Sequence, residues 1–82
     1  MKHVKVLIVD DEPITRLDLK EMLEENGYDV VGEGRNSNEA IEKAQALQPD
    51  LIIIYVKMPE MNGVKAASII KRFSDCAILL LT

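Results

Sequence analysis

Cysteine is nearly absent: Cys76 stands alone in 82 residues. No internal disulfide is available, and a lone thiol fits a reducing cytoplasm, where the chain is expected to reside. Long apolar runs are missing too. The longest, Leu51 to Val56 and Cys76 to Leu81, fall far short of the ~20 residues that cross a bilayer, so no membrane contact is expected. No basic segment followed by a long apolar stretch opens the chain, and no secretory leader is expected. Ten Lys and Arg face 14 Asp and Glu, a net charge of −4, and the basic residues form no cluster. Direct nucleic-acid binding by this segment is thereby disfavoured. The one histidine, His3, has no second His or Cys nearby, a poor basis for a metal site. Repeats, low-complexity tracts and long linkers are likewise lacking.

What remains is ordinary globular material. Forty-eight per cent of residues are hydrophobic and 29% charged, which speaks against disorder. The length argues for a single domain over residues 1–82. A domain this small buries only ~60–65% of its unfolded surface, so every element counts.

Short branched apolar runs alternate with helical periodicity. Val4 to Val9, broken only by Lys5, reads as a strand covered on both faces. Asp10-Asp11-Glu12-Pro13 ends it, with Asp11 expected as helix cap and Pro13 in the first turn. From Ile14 to Asn26, Thr15, Leu19, Met22 and Leu23 share one helical face, and Gly27 supplies the stop. Tyr28 to Val31 reads as a second strand, with Gly32-Glu33-Gly34 as a loop. Asn36 and Glu39 have capping-box spacing before a helix that buries Ala40, Ile41, Ala44 and Leu47 and ends at Pro49. Leu51 to Val56 is a third, central strand, and Met58 to Gly63 is a turn-rich loop. A third helix, Val64 to Arg72 or Phe73, puts Ala66, Ile70 and Phe73 on one face before a fourth strand, Ala77 to Leu81. The order is βαβαβαβ. It implies an α/β fold, a parallel sheet with helices on both faces.

In an open α/β sheet, ligands gather beyond the carboxyl ends of the strands. Asp10 and Asp11, Tyr55 to Lys57, and Thr82 all fall there. Adjacent carboxylates suit Mg²⁺, which takes oxygen ligands and needs only one or two from protein acids. A hydroxyl such as that of Thr82 suits a phosphoryl oxygen.

Three segments together carry a resemblance. Val6 to Pro13, Pro49 to Gly63 and Leu79 to Thr82 resemble, in order and on the right elements, the receiver domain of two-component response regulators. The resemblance implies a flavodoxin-like, doubly wound sheet, shortened here to strand order 2-1-3-4. It implies Mg²⁺ as cofactor, with Asp11 as direct ligand, Asp10 as its water-bridged neighbour and the Lys57 main-chain carbonyl as third ligand. Thr82 matches the switch hydroxyl, and a sensor histidine kinase is the implied partner. Leu17 to Leu23 and Val56 to Pro59 also look like receivers that carry RNA-binding antiterminator output domains.

Two departures shape the expectation. Tyr55 stands where the family has its phosphoacceptor aspartate, and a phenol keeps its proton at neutral pH. It offers neither the nucleophile nor the charged metal ligand that a carboxylate supplies. Phosphate acceptance is expected to be lost and Mg²⁺ to bind weakly or not at all. The family pattern also continues through a further helix, strand and helix beyond Thr82, so the domain is expected to be truncated. Ala77 to Leu81 then forms an apolar edge, for which a homo-oligomer joined through the fourth strand is expected.

Plainer readings stand beside these. Alone, Asp10-Asp11-Glu12 is a helix cap favouring the dipole; with the other motifs it reads as a vestigial metal site. Tyr55 reads as a pocket-filling replacement, Cys76 as a small packed hydrophobe. Lys65, Lys71 and Arg72 read as a solvated face. An enzyme using Asp10 and Asp11 lacks a histidine base, a cysteine nucleophile or a glycine-rich phosphate loop, so no catalytic activity is expected. An oligomerising fragment of a receiver fold without signalling activity is the alternative.

Overall fold

Branched apolar residues without alternation build the centre of the sheet. Val6, Leu7, Ile8 and Val9 are all fully buried, as a strand covered on both faces requires. In this computed structural model, which describes residues 3–56 and 62–81, they belong to β1 (Lys5–Val9). The order continues with α1 (Pro13–Glu25), β2 (Asp29–Gly34), α2 (Ser37–Leu47), β3 (Leu51–Tyr55), α3 (Gly63–Ile70) and β4 (Ala77–Leu81). Every pairing is parallel and the sheet runs β2-β1-β3-β4. This is the expected topology. Alternation along the strands then sorts two cores. Val6, Ile8 and Ile53 pack with Leu19 and Leu23 of α1, while Leu7, Val9, Ile52 and Ile54 pack with Ala40, Ala44, Ile70 and Cys76 on the opposite face. No helix among the described residues is long and apolar enough to cross a membrane.

The first helix departs from expectation in two places. Pro13 does hold the first helical position, but Glu12, not Asp11, is the boundary residue, and its side chain makes no capping bond. Asp10 acts from two residues back: its Oδ1 accepts the Glu12 N–H at 3.0 Å. Met22 is exposed, although Leu19 and Leu23 are buried. The buried stripe runs between those two leucines, and at ~100° per residue Met22 sits about 80° round from it. Gly27, at φ 88°, is the left-handed stop.

The second strand corrects the reading of Gly32 to Gly34 as a loop. The strand extends through Gly34, with Leu7, Ile8 and Val9 paired to Gly32, Glu33 and Gly34. A register shift between Val6 and Leu7 absorbs the mismatch. Two glycines look like loop locally, and pairing with a buried strand overrides that preference. Gly32 also has a packing reason, because a Cβ there meets Leu47 Cδ1 at 2.5 Å.

Side chains set the remaining ends. Asn36 Oδ1 accepts the Glu39 N–H at 2.9 Å. Glu39 reaches back to the Arg35 N–H and guanidinium, each at 3.0 Å, one residue earlier than a standard capping box. The Arg35 backbone bond, then its side chain, hold the Glu39 carboxyl below its ordinary range. At the far end Gln48 is left-handed, φ 48°, just before Pro49. Asn62 caps α3 by accepting the Lys65 N–H at 2.9 Å. That helix stops at Ile70, short of the expected Arg72 or Phe73. The N–H groups of Arg72 and Phe73 turn to the carbonyls of Ile69 and Ile70, a tighter winding that takes Phe73 off the buried face and leaves it exposed. Lys71 is also more than a solvated charge, since its Nζ donates to the Cys76 carbonyl at 2.6 Å.

Candidate functional site

Parallel strands deliver their carboxyl ends to one rim of the sheet, and β1 and β3 lie side by side there. Val9 pairs with Ile54, so Asp10 and Tyr55 are the next residues on adjacent strands. Asp10 is fully buried. Its N–H donates to the Gly34 carbonyl at 2.9 Å, which carries the sheet's hydrogen bonding one residue past β1. The carboxylates of Asp10, Asp11 and Glu12 each place an oxygen within 4.8 Å of the others. Sequence reasoning grouped all three as a vestigial metal site, with Asp10 and Asp11 as the ligands, and the turn into α1 keeps Glu12 beside Asp10.

The electrostatics of this cluster resist three negative charges. Partial loss of water around Asp11, its hydrogen bond with Asp10, and the charges of Asp10 and Glu12 outweigh its own backbone bond. They hold its carboxyl above the ordinary range. A divalent cation reverses that balance by favouring the ionised form. The donors are all oxygen and all anionic, which fits a hard cation such as Mg²⁺. Asp10 and Asp11 are the residues that would hold it. The Lys57 carbonyl, expected as third ligand, and Thr82, expected as switch hydroxyl, lie outside the described residues, as does most of the expected loop from Met58 to Gly63. Of that loop, Asn62 caps α3 and Gly63 already belongs to the helix.

Tyr55 ends β3, opposite Leu81 of β4. Its side chain is half-buried and packs against the core of Val6, Ile8, Leu19, Leu23 and Ile53. Strand alternation thus turns the phenol toward the α1 side of the rim. Leu81 accepts the Val56 N–H at 2.7 Å, which fastens the strand just past the ring.

Two residues at this rim escaped the sequence reading. Arg16 donates from Nη1 to the Asp10 carbonyl at 2.6 Å and from Nε to Glu33 Oε1 at 3.1 Å. Glu33 was hidden by the loop reading of its segment. The available signal was the position of Arg16 in the first turn after Pro13, from which a long side chain reaches back over the strand end. His3 takes no part; its Nδ1 lies 2.6 Å from the Gly27 carbonyl. Cys76 is buried in the core, as expected.

Comparison with known proteins places this rim in context. The family model for the response regulator receiver domain matches residues 6–82. The chain is 47% identical over 78 residues to the transcriptional regulatory protein PdtaR of Mycobacterium tuberculosis, covering 95% of this chain and 38% of PdtaR. It is 41% identical over 76 residues to the chemotaxis protein CheY of Thermotoga maritima, covering 93% of this chain and 63% of CheY. The chain therefore spans less than two thirds of either relative. The crystal structure of the response regulator domain of Thermotoga maritima CheB superposes with a TM-score of 0.88 at 32% identity, over 96% of this chain and 60% of that one. One family accounts for the sheet order and for the sequence along nearly its whole length: the chain belongs to the response regulator receiver domains.

Proposed function

We propose that this chain is a receiver module of two-component signal transduction that does not accept a phosphoryl group at position 55. One observation carries the reading: Tyr55 occupies the end of β3 beside Asp10, where the family places an aspartate. Attack on phosphorus and formation of an acyl phosphate need a carboxylate, and a protonated phenol supplies neither that nucleophile nor a charged ligand. Asp10 and Asp11 remain as the Mg²⁺ ligands, with the Lys57 carbonyl as a third; Mg²⁺ bound there supplies charge neutralisation for phosphoryl oxygens. With one acid fewer than the family pattern, its affinity is low. The module signals by docking and catalyses nothing itself. A sensor histidine kinase is the partner class, the cytoplasm the compartment, and Thr82 the residual switch hydroxyl. The similarity to a transcriptional regulatory protein favours an output in gene expression, and the resemblance of Leu17 to Leu23 and Val56 to Pro59 to antiterminator-linked receivers favours the RNA-binding type.

The direct test is incubation with a small phosphodonor and Mg²⁺ followed by intact mass. The expected spectrum contains only unmodified chain. A phosphate adduct mapped to Tyr55 removes the reading.

A second reading, association, rests on β4. Leu79 and Leu80 are 47% and 37% exposed, apolar side chains on the two faces of a strand at the edge of the described sheet. Association of two copies through this edge covers them. Light scattering at micromolar concentration is expected to give a mass above the monomer, reduced by Leu79→Lys. A monodisperse monomer for the parent chain rejects it.

A further inference from the structure

We propose that Arg16 is a positioning residue for divalent cation binding, holding Asp10 in place through its backbone. The proposal rests on the reading of Asp10 and Asp11 as cation ligands. Three groups of Asp10 are tied to three different parts of the rim. Its N–H donates to the Gly34 carbonyl, its Oδ1 accepts the Glu12 N–H, and its carbonyl accepts from Arg16 Nη1 at 2.6 Å. Of these only the last comes from a side chain, and that side chain is itself anchored. Arg16 is 16% exposed and pairs with Glu33 Oε1 at 3.1 Å, while the Glu33 carbonyl accepts from Lys43. A guanidinium makes two such bonds at once in a fixed plane. The turn bearing the acids is thus strapped to β2, which supplies no carboxylate to the cluster of Asp10, Asp11 and Glu12.

Charge and position make opposite demands here, which gives the proposal a sign. A cation beside three acids opposes the entry of a second cation by simple repulsion. If Arg16 acts only through its charge, its removal tightens divalent binding. If it acts by position, its removal loosens the turn and weakens binding despite the lost repulsion. Groups that orient metal ligands commonly alter affinity 10–100-fold when removed.

The test titrates Mn²⁺ into the full chain and follows the free-ion signal by electron paramagnetic resonance, with Mg²⁺ as competitor. Arg16→Met is expected to raise the dissociation constant about tenfold, and Glu33→Ala to raise it in the same direction. Arg16→Lys keeps the charge and one donor, and is expected to recover part of the loss. A purely stabilising role lowers the unfolding midpoint of Arg16→Met without weakening Mn²⁺ binding to the folded fraction, which circular dichroism measures. Binding to Arg16→Met or Arg16→Lys that equals or exceeds the parent's overturns the proposal alone. A parent chain that leaves the Mn²⁺ signal unchanged at millimolar ion overturns the cation site beneath it, and the proposal with it.

Discussion

Tyr55→Asp is expected to unfold below the parent chain in the absence of divalent ions and to recover in millimolar Mg²⁺. Two costs add in the apo state. The ring that packs against Val6, Ile8, Leu19, Leu23 and Ile53 is lost, and a new carboxylate joins the rim shared by Asp10, Asp11 and Glu12. Together they are worth about 1–3 kcal/mol, a drop of at least ~5 °C for a domain of this size. The added acid also gives a hard cation another ligand. Binding to the folded state alone then returns stability as the ion concentration exceeds its dissociation constant. The parent, with its phenol, gains much less from the same Mg²⁺. Thermal melts of both proteins with and without Mg²⁺ check this. Equal apo midpoints, or a variant indifferent to Mg²⁺, contradict the role given to Tyr55.

The second large effect lies in the opposite core. Ile54 is fully buried among Leu7, Val9, Ala40, Ala44, Ile52 and Ile70. It also lies under the start of α3, where a Cβ on Gly63 comes within 3.2 Å of Ile54 Cγ2. Helix and strand are already in close approach, so the site has little freedom to collapse around a hole. Ile54→Ala is expected to cost about 2–5 kcal/mol. A chain of 82 residues has only ~4–12 kcal/mol in total, so the urea midpoint falls by about a sixth at the least. Leu80→Ala, at a half-exposed position of β4, is the control and should cost under ~1 kcal/mol. A change in Ile54→Ala no larger than the control's refutes the packing described.

The reach of the sequence differs from element to element. The central strands were legible because burial on both faces leaves an unbroken branched run, as in Leu51 to Tyr55. The second helix was legible in its cap, Asn36, whereas the third was expected to start at Val64 and its cap, Asn62, was read as loop. The second strand was misjudged at Gly32 and Gly34, where local preference and long-range pairing disagree. Phe73 was misjudged because period alone does not say where a helix tightens into turns.

The acid pair and the phenol were equally plain in the chain, as residue types at strand ends. From sequence alone follow the order of elements, the apolar runs that seek the centre, and the chemical identity of the groups at the rim. All of these depend on neighbours a few positions apart, which act through backbone preference and periodicity. Tertiary structure decided the length of β2 and the strap from Arg16 to Glu33, residues 17 positions apart. These depend on a parallel sheet, whose pairing partners lie a whole helix away along the chain and meet only when the strands align.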